Sequence, residues 1–270
     1  MRWARMITSA AAALGATLAL CAPAQAITFG RHDGTAHPNV GAMMAYDDPA
    51  TPNTLHELCT VTLVAPRVVL TAAHCTSYLL DTLGITDVWV TFNTDSASGP
   101  YIHGVMHQDP LYPGPQSDPH DIAVIVLDQA PSPSLTPALL PSRGLLDRMK
   151  AAGTLGQSTS FTVVGYGVQA RQHISGGGTP LFPFDGFRWV ATAFFNALNP
   201  SWLRLTQNPA VGAGGGCYGD SGGPNFLGTS QVIAGTTIEG DTVCRSTNVV
   251  YRMDTDESQD FLAGFGVPIP

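Results

Sequence analysis

Short apolar runs recur along the chain between turn residues, and their spacing sets the first expectation. They read VGAMMAY (40–46), CTVTLVA (59–65), VVLTAA (68–73), VWVTF (88–92), IAVIVL (122–127), SFTVVGYG (160–167), WVATAFF (189–195), QVIAGTT (231–237) and NVVYRM (248–253). β-Branched and aromatic side chains suit a pleated, half-buried surface, and the Gly and Pro residues between the runs suit turns. Strands at this spacing, without alternating helical segments, predict antiparallel barrels or sandwiches rather than βαβ units. The one clear helix signal comes late. Asp254 can cap it with Glu257 at the third position, and Phe261, Leu262 and Phe265 then face the protein.

Two segments break the strand pattern. QAPSPSLTPALLPS (129–142) holds four prolines and reads as an ordered crossing between two β units, with the division near its middle. RQHISGGGTP (171–180) reads as a mobile surface loop because of its glycines.

The first 26 residues have a different character. Arg2 and Arg5 precede an apolar stretch from Ile7 to Leu20, followed by Ala24-Gln25-Ala26, which is the three-part form of a secretory signal. No later segment approaches the roughly 18 apolar residues of a membrane helix. A lipid-modified Cys21 is disfavoured because Leu20 stands where a small residue is needed. The expectation is an exported chain beginning at Ile27, with no membrane attachment once the signal is removed. Losing Arg2 and Arg5 changes the formal charge from −8 to about −10. With Lys150 as the single lysine and no basic stripe, nucleic acid is excluded as a partner. Removal of Cys21 leaves Cys59, Cys75, Cys217 and Cys244, which in an exported chain imply two disulfides in one of three pairings.

Candidate chemistry centres on CYGDSGGP (217–224), where Ser221 sits among glycines that would let a carbonyl approach backbone N–H groups. Gly219-Asp220-Ser221-Gly222-Gly223 satisfies the G-x-S-x-G pattern of α/β-hydrolases, but that fold places its histidine after the serine. This chain has none beyond His173. His103 and His107 have zinc-pair spacing only on a helix, and their segment reads as strand then turn. His74 differs, because it ends an apolar strand beside Cys75. Asp121 opens DIAVIVL and is the preferred acid, with Asp118 as the alternative beyond Pro119.

LTAAHC (70–75), DIAVIVL (121–127) and GDSGGP (219–224), in that order, resemble the chymotrypsin/trypsin-like serine proteases. The resemblance implies an all-β chain of two six-stranded antiparallel barrels with the active site in the cleft between them and a short C-terminal helix. Residues 27–135 would form the first barrel and 136–270 the second. It implies a triad of His74, Asp121 and Ser221, and an oxyanion hole from the N–H groups of Gly219 and Ser221. Disulfides would join Cys59 to Cys75 and Cys217 to Cys244, the first closing a loop worth about 3 kcal/mol. ITFG from Ile27 resembles the activated N-terminus of the family, whose amine pairs with the aspartate before the serine, here Asp220. Thr28 and Phe29 depart from that pattern. Gly215 falls at the base of the specificity pocket and Val249 on its wall, which implies a shallow, uncharged pocket for small or medium apolar side chains. The third wall lies within GTTIEGD (235–241), with Ile238 and Glu239 both open. Polypeptide is the expected substrate and a monomer the expected state, with no cofactor and no required metal. The competing reading is a protease-fold binding protein without turnover.

Overall fold

A computed structural model describes residues 27–169 and 182–270. The segment expected to be a secretory signal (1–26) and the glycine-rich segment expected to be a surface loop (171–180) lie outside the described residues.

Two closed barrels carry the chain. The first contains β2 (Val40–Ala45), β3 (His56–Ala65), β4 (Val68–Thr71), β5 (Asp87–Thr91), β6 (Ile102–Gln108) and β7 (Ala123–Leu127), closed in the order β2-β3-β4-β7-β6-β5. The second contains β8 (Ser160–Gly165), β9 (Trp189–Leu198), β10 (Trp202–Thr206), β11 (Pro224–Leu227), β12 (Ile233–Gly240) and β13 (Thr247–Arg252), and the β8–β9 and β8–β11 pairings close it. All the pairings between these strands are antiparallel. β6 shows the expected period of two, with Ile102, Gly104 and Met106 buried and Val105 exposed.

A further short strand, β1 (Arg31–His32), pairs with β9. Sequence order groups it with the first barrel, but β9 offers it a free ladder edge and Thr28 adds a bridge to Gly215. Residues 28–32, expected in the first barrel, therefore belong physically to the second.

Each barrel has its own apolar filling. Met43, Val61, Leu63, Val69, Val90 and Ile125 fill the first, and Ile27, Phe161, Val163, Trp189, Leu205 and Val250 fill the second. A third cluster, including Val40, Leu70, Val124, Tyr166, Phe226 and Tyr251, draws on both and joins them. Fully burying one such side chain is worth roughly 1.5–3 kcal/mol, so this seam holds the cleft in shape. Arg188 adds a polar pin across it. Its guanidinium is buried and donates to Asp33 Oδ2 (2.9 Å), the Val40 carbonyl (3.0 Å) and the Gly34 carbonyl (2.8 Å). A buried charge survives because it is paired with Asp33 and each of its three nitrogens donates a hydrogen bond.

Among the described residues there are three short α-helices, α1 (Ala73–Ser77), which continues as a π-helical turn over Tyr78–Leu83, α2 (Leu145–Ala151) and α3 (Asp256–Ala263), and a 3-10 turn at Pro209–Val211. The sequence places α3 correctly, with Leu262 buried and Phe261 and Phe265 packed on the seam. Its cap is Thr255, not Asp254, because the Thr255 hydroxyl accepts from the Ser258 N–H. Asp254 instead accepts from Leu146 N–H in α2 (2.8 Å) and pairs with Arg252. Leu146 lies 108 residues away in sequence.

Candidate active site

β4 ends at Thr71 and runs straight into α1, whose first turn carries His74. Asp121, two residues before β7 begins, is buried at the edge of the first barrel. Its carboxylate grips His74 twice: Oδ1 accepts from the backbone N–H at 2.9 Å and Oδ2 lies 2.8 Å from Nδ1. With Nδ1–H donating to the carboxylate, Nε2 is left as the basic nitrogen. Asp118 is engaged elsewhere, accepting from the Tyr251 hydroxyl at 3.0 Å.

Ser221 lies on the turn that leads into β11, and it shares one cavity of about 270 Å³ with His74. Among the described residues its hydroxyl makes no hydrogen bond, and nor do the N–H groups of Gly219 and Ser221. The N–H groups between and after them are engaged: Asp220 N–H donates to the Cys217 carbonyl (3.0 Å), Gly222 N–H to the Thr237 carbonyl (2.8 Å) and Gly223 N–H to the Asp220 carbonyl (2.9 Å). Two adjacent free donors beside a hydroxyl suit a developing oxyanion. Gly219 is required here, since its φ is +93° and a Cβ would stand 2.8 Å from the α-carbon of Gly167.

β3 reaches across from the first barrel to hold this turn. Thr60 N–H donates to the Ser221 carbonyl (2.9 Å), and Thr60 Oγ1 donates to the Gly219 carbonyl (3.0 Å). Asp220 points inward. Oδ1 accepts from Gly167 N–H (2.9 Å) and Oδ2 from Cys217 N–H (2.8 Å). Burial pushes its pKa up, and these two N–H groups oppose the rise. The structure draws no hydrogen bond from Ile27 to this carboxylate among the described residues. Ile27 is instead buried in the second barrel, and Thr28 exchanges backbone hydrogen bonds with Gly215 (2.9 and 3.1 Å).

The disulfides are Cys59–Cys75, which anchors the residue after His74, and Cys217–Cys244, which ties the serine turn to the far cavity wall. His74 lies close to both Cys59 and Cys75, but disulfide sulfurs offer no thiolate for a metal.

The cavity wall is more specific than the sequence suggests. Gly216, Thr237, Ile238, Glu239 and Asp241 line it, so both open candidates in GTTIEGD contribute. Gly215 and Val249 are not among its lining residues. The buried Gln207 side chain lies over Gly215, where a Cβ would stand 2.3 Å from Oε1. Val249 is buried opposite Arg204 and Glu239 in the β10–β13–β12 ladder. Gln207 gave no sequence signal, since only the fold brings it to Gly215. Asp241 is held by the N–H groups of Arg245, Ser246 and Thr247. Its partial burial would raise its pKa, but those backbone donors outweigh it and keep the carboxyl ionised below the usual range.

The family described as Trypsin matches residues 35–258. This chain belongs to the trypsin-like serine protease family. Human granzyme M is 29% identical over 191 residues, covering 69% of this chain and 70% of that protein. Among solved structures, mouse neuropsin aligns with a TM-score of 0.66 at 18% identity, covering 89% of this chain and all of that one. Human heparin binding protein aligns at 0.62 and 18%, covering 89% of this chain and 97% of its own. The VesB protease of Vibrio cholerae also aligns at 0.62 and 18%, over 90% of this chain and 68% of that one. At such identities the structural matches establish the fold. Among the described residues of this trypsin-family chain, no helix is long and apolar enough to cross a membrane.

Proposed function

We propose that this chain is an exported serine endopeptidase that cleaves polypeptides through an acyl-enzyme on Ser221. The observation that carries the reading is one cavity bordered by His74 and Ser221, with Asp121 fixing the far side of the imidazole and two unused N–H groups at the serine. Ser221 Oγ attacks the scissile carbonyl carbon while His74 Nε2 takes its proton. Asp121 stabilises the imidazolium, and the N–H groups of Gly219 and Ser221 receive the oxyanion. His74 then gives the proton to the leaving amine, leaving the acyl ester. Water repeats the sequence on that ester, releasing the acid and restoring the Ser221 hydroxyl. A fluorophosphonate probe should label the wild type and not Ser221→Ala. Failure to label either protein would favour the binding-protein reading.

The pocket supports a preference for small or medium apolar side chains before the scissile bond. Ile238 supplies an apolar wall, and of the two carboxylates at the cavity, Glu239 and Asp241, that of Asp241 is occupied by backbone donors. On matched substrates with Ala, Val, Leu, Phe and Arg at that position, kcat/KM is expected to peak between Ala and Leu. Each poorly fitted methylene should cost about 1–3 kcal/mol. A clear preference for Arg would overturn this assignment.

Activation by the signal cut itself is the companion proposal. Ile27 is β-branched yet has φ +47°, and cutting the peptide bond before it abolishes that torsion. The freed amine would then be available to the buried Asp220. Mass spectrometry of the secreted protein should find Ile27 first, and a start several residues away would sink the idea. The pair needs a charged amine, whose pKa near a carboxylate lies above the ordinary value of about 8. Activity is therefore present below that raised pKa and lost as pH climbs through it.

A further inference from the structure

Beside the serine turn lies an acid that the mechanism above does not use. Glu57 is on β3, three residues before Thr60. Both of its carboxyl oxygens lie 3.5 Å from the point where a Cβ on Gly219 would stand. Oε1 is buried and has no hydrogen-bond partner. One strand of the first barrel thus meets the turn at three places, with the Glu57 carboxyl facing the bare side of Gly219 and Thr60 bonded to the carbonyls of Gly219 and Ser221.

The charge environment decides the form of that carboxyl. Asp220 faces it from the turn, and Tyr166 faces it from the end of β8, with Arg188 and Asp33 beyond that phenol. On β2 its register partner is Met44, which carries no charge. His56, its neighbour on β3, is taken by Asp47 at 3.1 Å. Among the described residues no cation forms a salt bridge with Glu57. Burial, and then the negative charge of Asp220, push its pKa well above the usual carboxylate range. Two ionised carboxylates at this spot would repel across the residue whose N–H must meet the oxyanion.

We propose that Glu57 is a positioning residue for the oxyanion turn: its carboxyl, unpartnered and facing Gly219, leaves the turn in its working shape while uncharged, and a negative charge there displaces the turn. The proposal rests on the protease reading for its kinetic consequence but not for its structural one. A second carboxylate beside the oxyanion hole weakens transition-state stabilisation, which lowers kcat with little effect on KM.

The kinetic test compares pH profiles of mature wild type and Glu57→Gln on a peptide anilide. Wild-type kcat should fall about tenfold per pH unit above the Glu57 inflection. In Glu57→Gln that fall should disappear, leaving only the limb of the N-terminal amine, while KM tracks wild type throughout. Superimposable kcat profiles would overturn the proposal.

A stability test works even if the chain turns out not to be a protease. Between the ordinary carboxylate range and the raised value, the folded state holds a proton that the unfolded chain has released. Stability should therefore decline with rising pH in that window. In a Ser221→Ala background, adding Glu57→Gln should flatten this decline in urea midpoints, and equal slopes would refute the assignment. If Glu57→Gln does not accumulate, infrared spectra of Ser221→Ala carrying isotope-labelled glutamate, which separates its band from that of Asp220, decide. A protonated-carboxyl band persisting at neutral pH and lost only in alkali supports the neutral acid, and its absence at neutral pH overturns it.

Discussion

Ser221→Ala is expected to lower kcat by about 10⁶ while leaving stability unchanged. The kinetic half follows from the mechanism, since without Oγ the basic Nε2 of His74 has no hydroxyl to activate. A residual rate, roughly 10³–10⁴ above the reaction in water, should persist from the oxyanion hole and substrate binding. The stability half follows from the contacts. The Ser221 hydroxyl makes no hydrogen bond among the described residues, whereas the bond that Thr60 N–H donates to the Ser221 backbone carbonyl survives the substitution. Adding His74→Ala should cost almost nothing more, because the two residues act as one unit. The checks are kcat with a sensitive fluorogenic peptide and the urea midpoint. A variant that kept a hundredth of the wild-type rate would remove Ser221 from the proposed mechanism.

Local patterns in the sequence carry the barrels, while the details that shape the cavity come from long-range contacts. Nine apolar runs lie on strands because burial and β-propensity act within a few residues. β10 and β11 escape notice because WLRLT and PNFL are short, and the first alternates an arginine between two buried leucines. His74 and Asp121 are each attached to an apolar strand, so their environment is readable even though 47 residues separate them. Gln207 over Gly215 and Glu57 against Gly219 are different in kind. No property of either residue type announces such a neighbour, since it arises from where two chain segments meet after the barrels close. Asp254 makes the same point. Its position suits the N-terminus of the last helix, yet a threonine beside it caps that helix and Asp254 turns to α2. Val249 shows the limit of position alone. Its place in the chain matches a pocket wall, but packing in the ladder keeps it out of the cavity lining.

Asp121→Asn should reduce kcat at neutral pH by about 10⁴, the size expected when a triad histidine is held in the wrong tautomer. The reason can be read from the two contacts of this carboxylate. Oδ1 must accept from the His74 backbone N–H, and Oδ2 must accept from Nδ1–H. An asparagine has one acceptor and one donor group, so it cannot satisfy both. Giving its oxygen to the backbone N–H turns its amide N–H toward Nδ1, which must then accept. The imidazole proton moves to Nε2, and the nitrogen facing Ser221 becomes a donor instead of a base. Turning the amide the other way sets its N–H against the backbone N–H, leaving a buried donor unmet at a cost of about 1–3 kcal/mol. The first arrangement therefore prevails, and the fold survives with its chemistry disabled. Asp118→Asn is the matched control, since Asp118 contacts the Tyr251 hydroxyl and not His74. Nitrogen NMR of the histidine ring should show the proton on Nε2 in Asp121→Asn and on Nδ1 in Asp118→Asn. If Asp121→Asn retained kcat within tenfold of the wild type, Asp121 would not be the residue that orients the base.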